Sequence, residues 1–232
     1  MHALSRALGA TQWTNPCGGL AWRDRPDGSI EIEGRGAPSY APGHPRHSIV
    51  VRTWHNFGCS FTRSSARHGV PIAWLLAIAS VESGPWSDDA GAQQTAVSPA
   101  GALGVMQIMP QTAKSFGRRP EDMLSAPENI DVGAELLARL IAAYGPELPA
   151  ICAPYNSGKL CCSDSRCGAD CENPFGLCTD SDYPGAAIRY NNTAVKYINL
   201  ASGCTPEVMR AASWGLIAAG AAGAAIYWSR RR

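Results

Sequence analysis

Glu82 closes a long apolar run, PIAWLLAIASVES from Pro71 to Ser83, and its position suits it to move a proton. A carboxyl at the mouth of an apolar helix loses hydration, which disfavours its charged form and keeps the acid protonated at neutral pH. Ser83 adds a hydroxyl beside it. The loop SPAGALGVMQIMP, Ser98 to Pro110, brings Met106 and Gln107, and the amide of Gln107 can both donate and accept hydrogen bonds. Further on, CAPYNSG, Cys152 to Gly158, supplies Tyr155 and Asn156. One acid, one hydroxyl, two amides and a phenol fit general acid–base work on a polar substrate. Asp88 and Asp89 follow Glu82 closely and keep a two-carboxylate scheme open. A metal site is not indicated: the five histidines, His2, His44, His47, His55 and His68, all precede Glu82 and lack ligand spacing.

Helices are the elements that must position these groups. Val50, Trp54, Phe57 and Phe61 recur at helical spacing in a segment of about twenty residues from Ser48. Gly69 stops that helix, and Pro71 opens the next at a position where its missing N–H costs nothing. Ser125 and Glu128 read as a capping box ahead of an amphipathic helix carrying Ile130, Leu137, Leu140 and Tyr144, which Gly145-Pro146 ends. The CAPYN helix follows, and a last helix runs from about Tyr183 to Ala201. Before all of these, Leu20–Trp22 and Ile30–Ile32 flank RDRPDG and read as a short hairpin within residues 1–47.

Taken in order, ES, GVMQIMP and YN resemble the signature of the soluble lytic transglycosylases, lysozyme-like enzymes that cut bacterial peptidoglycan. The resemblance runs from Val70 to about Tyr197. It implies a mainly α, two-lobed lysozyme-like catalytic domain over residues 48–202, with a cleft for peptidoglycan glycan strands. In that family one glutamate protonates the β-1,4 bond between N-acetylmuramic acid and N-acetylglucosamine, and the muramic 6-hydroxyl closes a 1,6-anhydro ring. By position Glu82 is that acid and the subsequent base. The same resemblance makes Ser83 an orienting hydroxyl, sets Met106 and Gln107 along the cleft, and has Tyr155 hydrogen-bond the glutamate with Asn156 in support. Tyr183 corresponds to a later cleft tyrosine, and no cofactor is implied. Val105 replaces the usual leucine, and Pro154 stands just before Tyr155, where it removes a helical hydrogen bond. Two other readings remain: a muramidase that uses water with Asp88 or Asp89, and a virion structural protein that only binds glycan.

A formal net charge of +1 over 232 residues gives no reason to expect a nucleic-acid partner, and 45% hydrophobic residues suffice for a core. Five of nine cysteines crowd into one stretch, at Cys161, Cys162, Cys167, Cys171 and Cys178, and the rest are Cys17, Cys59, Cys152 and Cys204. Without paired C-x2-C ligands or nearby histidines, the 161–178 loop reads as disulfide-stapled in an oxidising compartment, with Cys152 the buried thiol. Ala211 to Ser229 carries no charge and precedes Arg230-Arg231-Arg232. Its length just spans a bilayer, with Trp214, Tyr227 and Trp228 near its ends. The small-residue stripe Gly215, Ala219 and Gly223 suits a helix–helix partner or homo-oligomer, in a membrane or as a packed soluble helix. The arginines on the cytoplasmic side would set the catalytic domain on the cell-wall side. MHALSRALGATQW lacks a signal-type apolar core. A phage virion component would reconcile that with a wall substrate.

Overall fold

The computed structural model describes residues 12–13, 22–32, 43–84, 91–158 and 183–201. Asp88, Asp89, the cysteine-rich loop 161–178 and the segment 211–229 lie outside the described residues. The fold is mainly helical, with a small antiparallel sheet near the N-terminus.

At its centre is α2 (Ile72–Glu82). Leu75, Leu76, Ala77, Ile78, Ala79 and Ser80 are all buried, so this helix is apolar on every side. Such a helix is stable only inside a shell of others. The shell is α1 (Pro45–His68), α4 (Ala126–Tyr144) and α6 (Tyr183–Ala201), with α5 (Leu148–Ser157) packed between α4 and α6. Ser80 sits in this apolar interior because its hydroxyl donates to the Leu76 carbonyl at 2.7 Å. A short α3 (Pro110–Ser115) and a 3-10 turn (Pro120–Leu124) link the loop that ends at Met109 to α4. Among the described residues no single helix is long and apolar enough to cross a membrane.

Helix ends depart from the sequence pattern in instructive ways. α1 begins three residues before Ser48, since Pro45 occupies the first turn and the His44 ring accepts the Arg46 N–H at 3.2 Å. It ends at Gly69, whose φ of 71° lets its N–H reach the Ser65 carbonyl. The expected capping box at Ser125 does not form: the serine is the N-cap, but its side chain makes no capping bond. Its own N–H is already given to the Asp122 carbonyl at 2.9 Å, because the 3-10 turn runs straight into the helix. No donor remains there for Glu128 to bind in return. Pro154 does not interrupt α5, which continues to Ser157 and closes on left-handed Gly158.

The hairpin is also shifted. β2 (Trp22–Asp24) pairs with β3 (Ile30–Ile32), Trp22 opposite Ile32, and β1 (Gln12–Trp13) pairs with the other edge of β2. Arg23 and Asp24 thus belong to the strand, where Arg23 reaches across to Glu31 at 2.6 Å. The turn shrinks to the residues around Pro26-Asp27-Gly28. Trp22, Ile30 and Ile32 are buried in the common core. Asn192 of α6 locks the sheet down, accepting the Ile30 N–H and donating to its carbonyl, both at 2.8 Å.

Candidate active site

Glu82 is the last residue of α2, so its carboxyl emerges from the end of the most apolar element in the protein. It is half-buried. Burial pushes its pKa from the ordinary 4.5 up to about 7, and the Tyr183 hydroxyl, donating to Oε1 at 2.6 Å, pulls it partly back. Tyr183 opens α6 and is itself buried. Its own pKa is held well above the usual phenol value, first by burial and then by the Glu82 charge. Tyr183 is therefore a donor that stays protonated whatever Glu82 does.

Ser83 caps α2 and ties it to the loop Leu103–Ile108. Its hydroxyl donates to the Val105 carbonyl at 2.7 Å and accepts the Gln93 N–H at 3.1 Å. The loop is shaped by two isolated antiparallel bridges, Val97 with Leu103 and Leu103 with Ile108. Gln107 adopts φ 50°, a left-handed conformation that side chains other than glycine rarely take. Its amide nitrogen stabilises that turn by donating to the carbonyls of Gly104, at 2.8 Å, and Ala96, at 3.3 Å. Both donors of Gln107 are thus directed to its own loop, leaving the amide oxygen as the group it can offer elsewhere. Met106 is fully buried, its side chain filling the space over Gly133, where a Cβ would come within 2.4 Å of the sulfur. What Met106 presents toward the site is its backbone carbonyl.

The two tyrosines divide the work differently from the sequence expectation. The Tyr155 hydroxyl donates to the Met106 carbonyl at 2.8 Å, and the bond to Glu82 comes from Tyr183. Tyr155 still lies close enough for the Glu82 charge to act on it, and burial lifts its pKa well above the usual value. Asn156, one residue on, is exposed on the last turn of α5. Cys152, one turn before Tyr155, is a free and fully buried thiol whose pKa burial raises steeply. The Glu82 charge adds to that rise.

One residue of this arrangement was not singled out from the sequence. Asn129 is fully buried on α4, and its amide makes three bonds to backbone: it accepts the Met106 N–H at 2.7 Å and donates to Leu103 and Met123 carbonyls at 2.8 and 2.9 Å. The signal was available, since Asn129 adjoins Ile130 on an otherwise apolar helix face, and a polar side chain there must find partners.

The site is thus a half-buried glutamate, its pKa raised by burial, at the end of the central helix of a mainly helical fold. Residues 60–167 match the family model described as the transglycosylase SLT domain. The chain is thus similar to the transglycosylase SLT domain over just under half of its length. The matched span holds Glu82, Ser83, Met106, Gln107, Tyr155 and Asn156, while Tyr183 and the hairpin fall outside it. Two solved structures share the fold. The lytic transglycosylase Slt of Pseudomonas aeruginosa, an inactive glutamate-to-glutamine mutant, is 20% identical with a TM-score of 0.51. The 70-kDa soluble lytic transglycosylase in complex with bulgecin A is 24% identical with a TM-score of 0.50. Each similarity covers 65% of this chain, and the chain spans only 26% of the length of either protein.

Proposed function

We propose that this protein is a peptidoglycan lytic transglycosylase that cleaves the β-1,4 bond between N-acetylmuramic acid and N-acetylglucosamine and leaves a 1,6-anhydromuramoyl end. The observation that carries this reading is the half-buried, proton-retaining Glu82 hydrogen-bonded by Tyr183. In the first step the Glu82 proton passes to the glycosidic oxygen, the bond to the muramic C1 breaks, and the N-acetylglucosamine leaves with its new hydroxyl. The substrate's acetamido oxygen supports the cationic C1. Glu82, now a carboxylate, is stabilised by the Tyr183 hydroxyl, a bond that strengthens as charge develops. Glu82 then takes the proton of the muramic 6-hydroxyl as that oxygen attacks C1. The acid is restored and no water is consumed.

The Pseudomonas protein named as inactive carries glutamine in place of a glutamate, the same change that Glu82→Gln would make here. Membrane attachment through residues 211–229, with the catalytic domain facing the cell wall, belongs to the same proposal. Mass spectrometry of peptidoglycan digested by the full-length protein tests the chemistry. Anhydromuramoyl products are expected. Products carrying one added water per cut would replace this reading with a muramidase.

A further inference from the structure

Among the described residues, three side chains from outside the loop Leu103–Ile108 hold its backbone: Ser83 at the end of α2, Tyr155 on α5 and Asn129 on α4. Ser83 holds the Val105 carbonyl, Tyr155 holds the Met106 carbonyl, and Gln107 binds back within the loop. Asn129, from α4, holds the Met106 N–H and the Leu103 carbonyl together, and fixes both to the end of the 3-10 turn at Met123. One helical turn further on, Gly133 lies on the same face of α4, and the Met106 side chain rests where a Cβ would project. Gly104, at φ 75°, is pressed so close that a Cβ there would come within 2.2 Å of the Met123 carbonyl and 2.6 Å of the Asn129 amide nitrogen. The face formed by Asn129 and Gly133 is a mould for the loop, matching its backbone polarity at one point and its side-chain volume at the other.

We propose that Asn129 is a positioning residue for the reaction: by clamping Met106 between α4 and Tyr155 it aims the Tyr155 phenol and seals the loop against the mouth of α2 beside Glu82. The proposal rests on the reading of Glu82 as the acid. Met106 is the pivot, because its N–H goes to Asn129 and its carbonyl accepts from Tyr155, so a shift at one end of this residue moves the other. Val105 carries the same shift to Ser83, the residue next to Glu82. Among the described residues, the titratable groups coupled to Glu82 are Tyr183 from α6 and Tyr155 and Cys152 from α5, and the loop is tied to the adjoining Ser83. If the loop lifts, water reaches the carboxyl and its preference for the proton weakens.

The test compares full-length wild type with Asn129→Ala, Asn129→Asp, Tyr155→Phe and the Asn129→Ala/Tyr155→Phe double variant on a soluble glycan strand, with folding checked by circular dichroism. Asn129→Asp keeps the shape and the acceptor for Met106 N–H but loses the two donors. Folded Asn129 variants should lose kcat by about 10- to 100-fold, the scale of a 1 Å misplacement, with a smaller change in KM. In the Tyr155→Phe background the added loss should shrink to under about threefold, since both changes act through one residue, Met106. The Glu82 carboxyl, followed by 13C NMR, should titrate near 7 in wild type and closer to 4.5 in Asn129→Ala. Unchanged kcat in a folded Asn129 variant, or an undiminished loss in the Tyr155→Phe background, would overturn the proposal. So would failure of both Asn129 variants to fold while Tyr155→Phe folds, which would make Asn129 purely architectural. Wild type inert on the glycan would instead defeat the functional reading, and the Glu82 titration would still decide whether Asn129 seals the acid.

Discussion

Below about pH 4 the Glu82 carboxyl is protonated in the folded and the unfolded chain alike, and Glu82→Gln exchanges one neutral group for another of nearly the same shape. The two states part company as pH rises. The unfolded chain releases this proton near the ordinary 4.5, while burial holds it in the folded chain to about 7. Between those values the native state binds more protons than the unfolded one, so the Glu82 contribution to stability falls steadily with pH and the penalty is complete above about 7. At about 1.4 kcal/mol per pH unit the gap amounts to about 3 kcal/mol, an upper figure because Glu82 is only half-buried. Glutamine carries no such penalty. Glu82→Gln should therefore match wild type in stability at about pH 4 and exceed it by up to about 3 kcal/mol at about pH 8. For a chain of this size that is a rise in Tm of roughly 6–12 °C. Urea titrations of both proteins at several pH values, analysed with a common m-value, measure the difference directly. A difference that stays constant across the pH range, or wild type the more stable at alkaline pH, would refute the claim that burial keeps this acid protonated. The same variant should lose cleavage by about 10²-fold or more, the usual worth of a general acid.

Other consequences are open to measurement. Tyr183→Phe removes the bond that lowers the Glu82 pKa, so the alkaline limb of the pH–rate profile should move above about 7 while kcat falls; a limb that moves down would contradict the assigned role. Asn192→Ala leaves the Ile30 N–H and carbonyl without their partner inside the core and should cost about 2–4 kcal/mol, read by denaturant unfolding, with near-normal kcat in the folded fraction. Removing residues from Ala211 onward should give a protein that partitions into the aqueous phase of a detergent mixture and still cuts peptidoglycan, whereas the full chain should enter the detergent phase. Asp88→Asn and Asp89→Asn should leave cleavage within about threefold of wild type, and a loss as large as that of Glu82→Gln would bring back the two-carboxylate scheme.

Local pattern was enough to determine most of the scaffold. Gly69 and Gly145 end their helices where the sequence says they should, because a residue beyond the last turn needs a conformation that glycine adopts freely. The final helix has the expected limits, Tyr183 to Ala201, and the apolar run before Glu82 is the central helix, since a segment without a polar face has nowhere else to go. The ES, GVMQIMP and YN motifs singled out Glu82 and the loop opposite it. Tertiary structure alone decided how those pieces engage. Glu82 and Tyr183 are 101 residues apart, and the choice of Tyr183 over Tyr155 as its partner depends on how α6 lies along α2, which no short-range spacing encodes. The capping box at Ser125 failed for a similar reason: its N–H had been taken by a turn whose course the motif does not specify. Asn129 looked like one polar residue among the apolar positions of α4, and its role emerged only when packing brought the Met106 peptide against it. Periodicity and end signals fix local backbone conformation, while partners far apart in the chain are selected by which faces close together when the core excludes water.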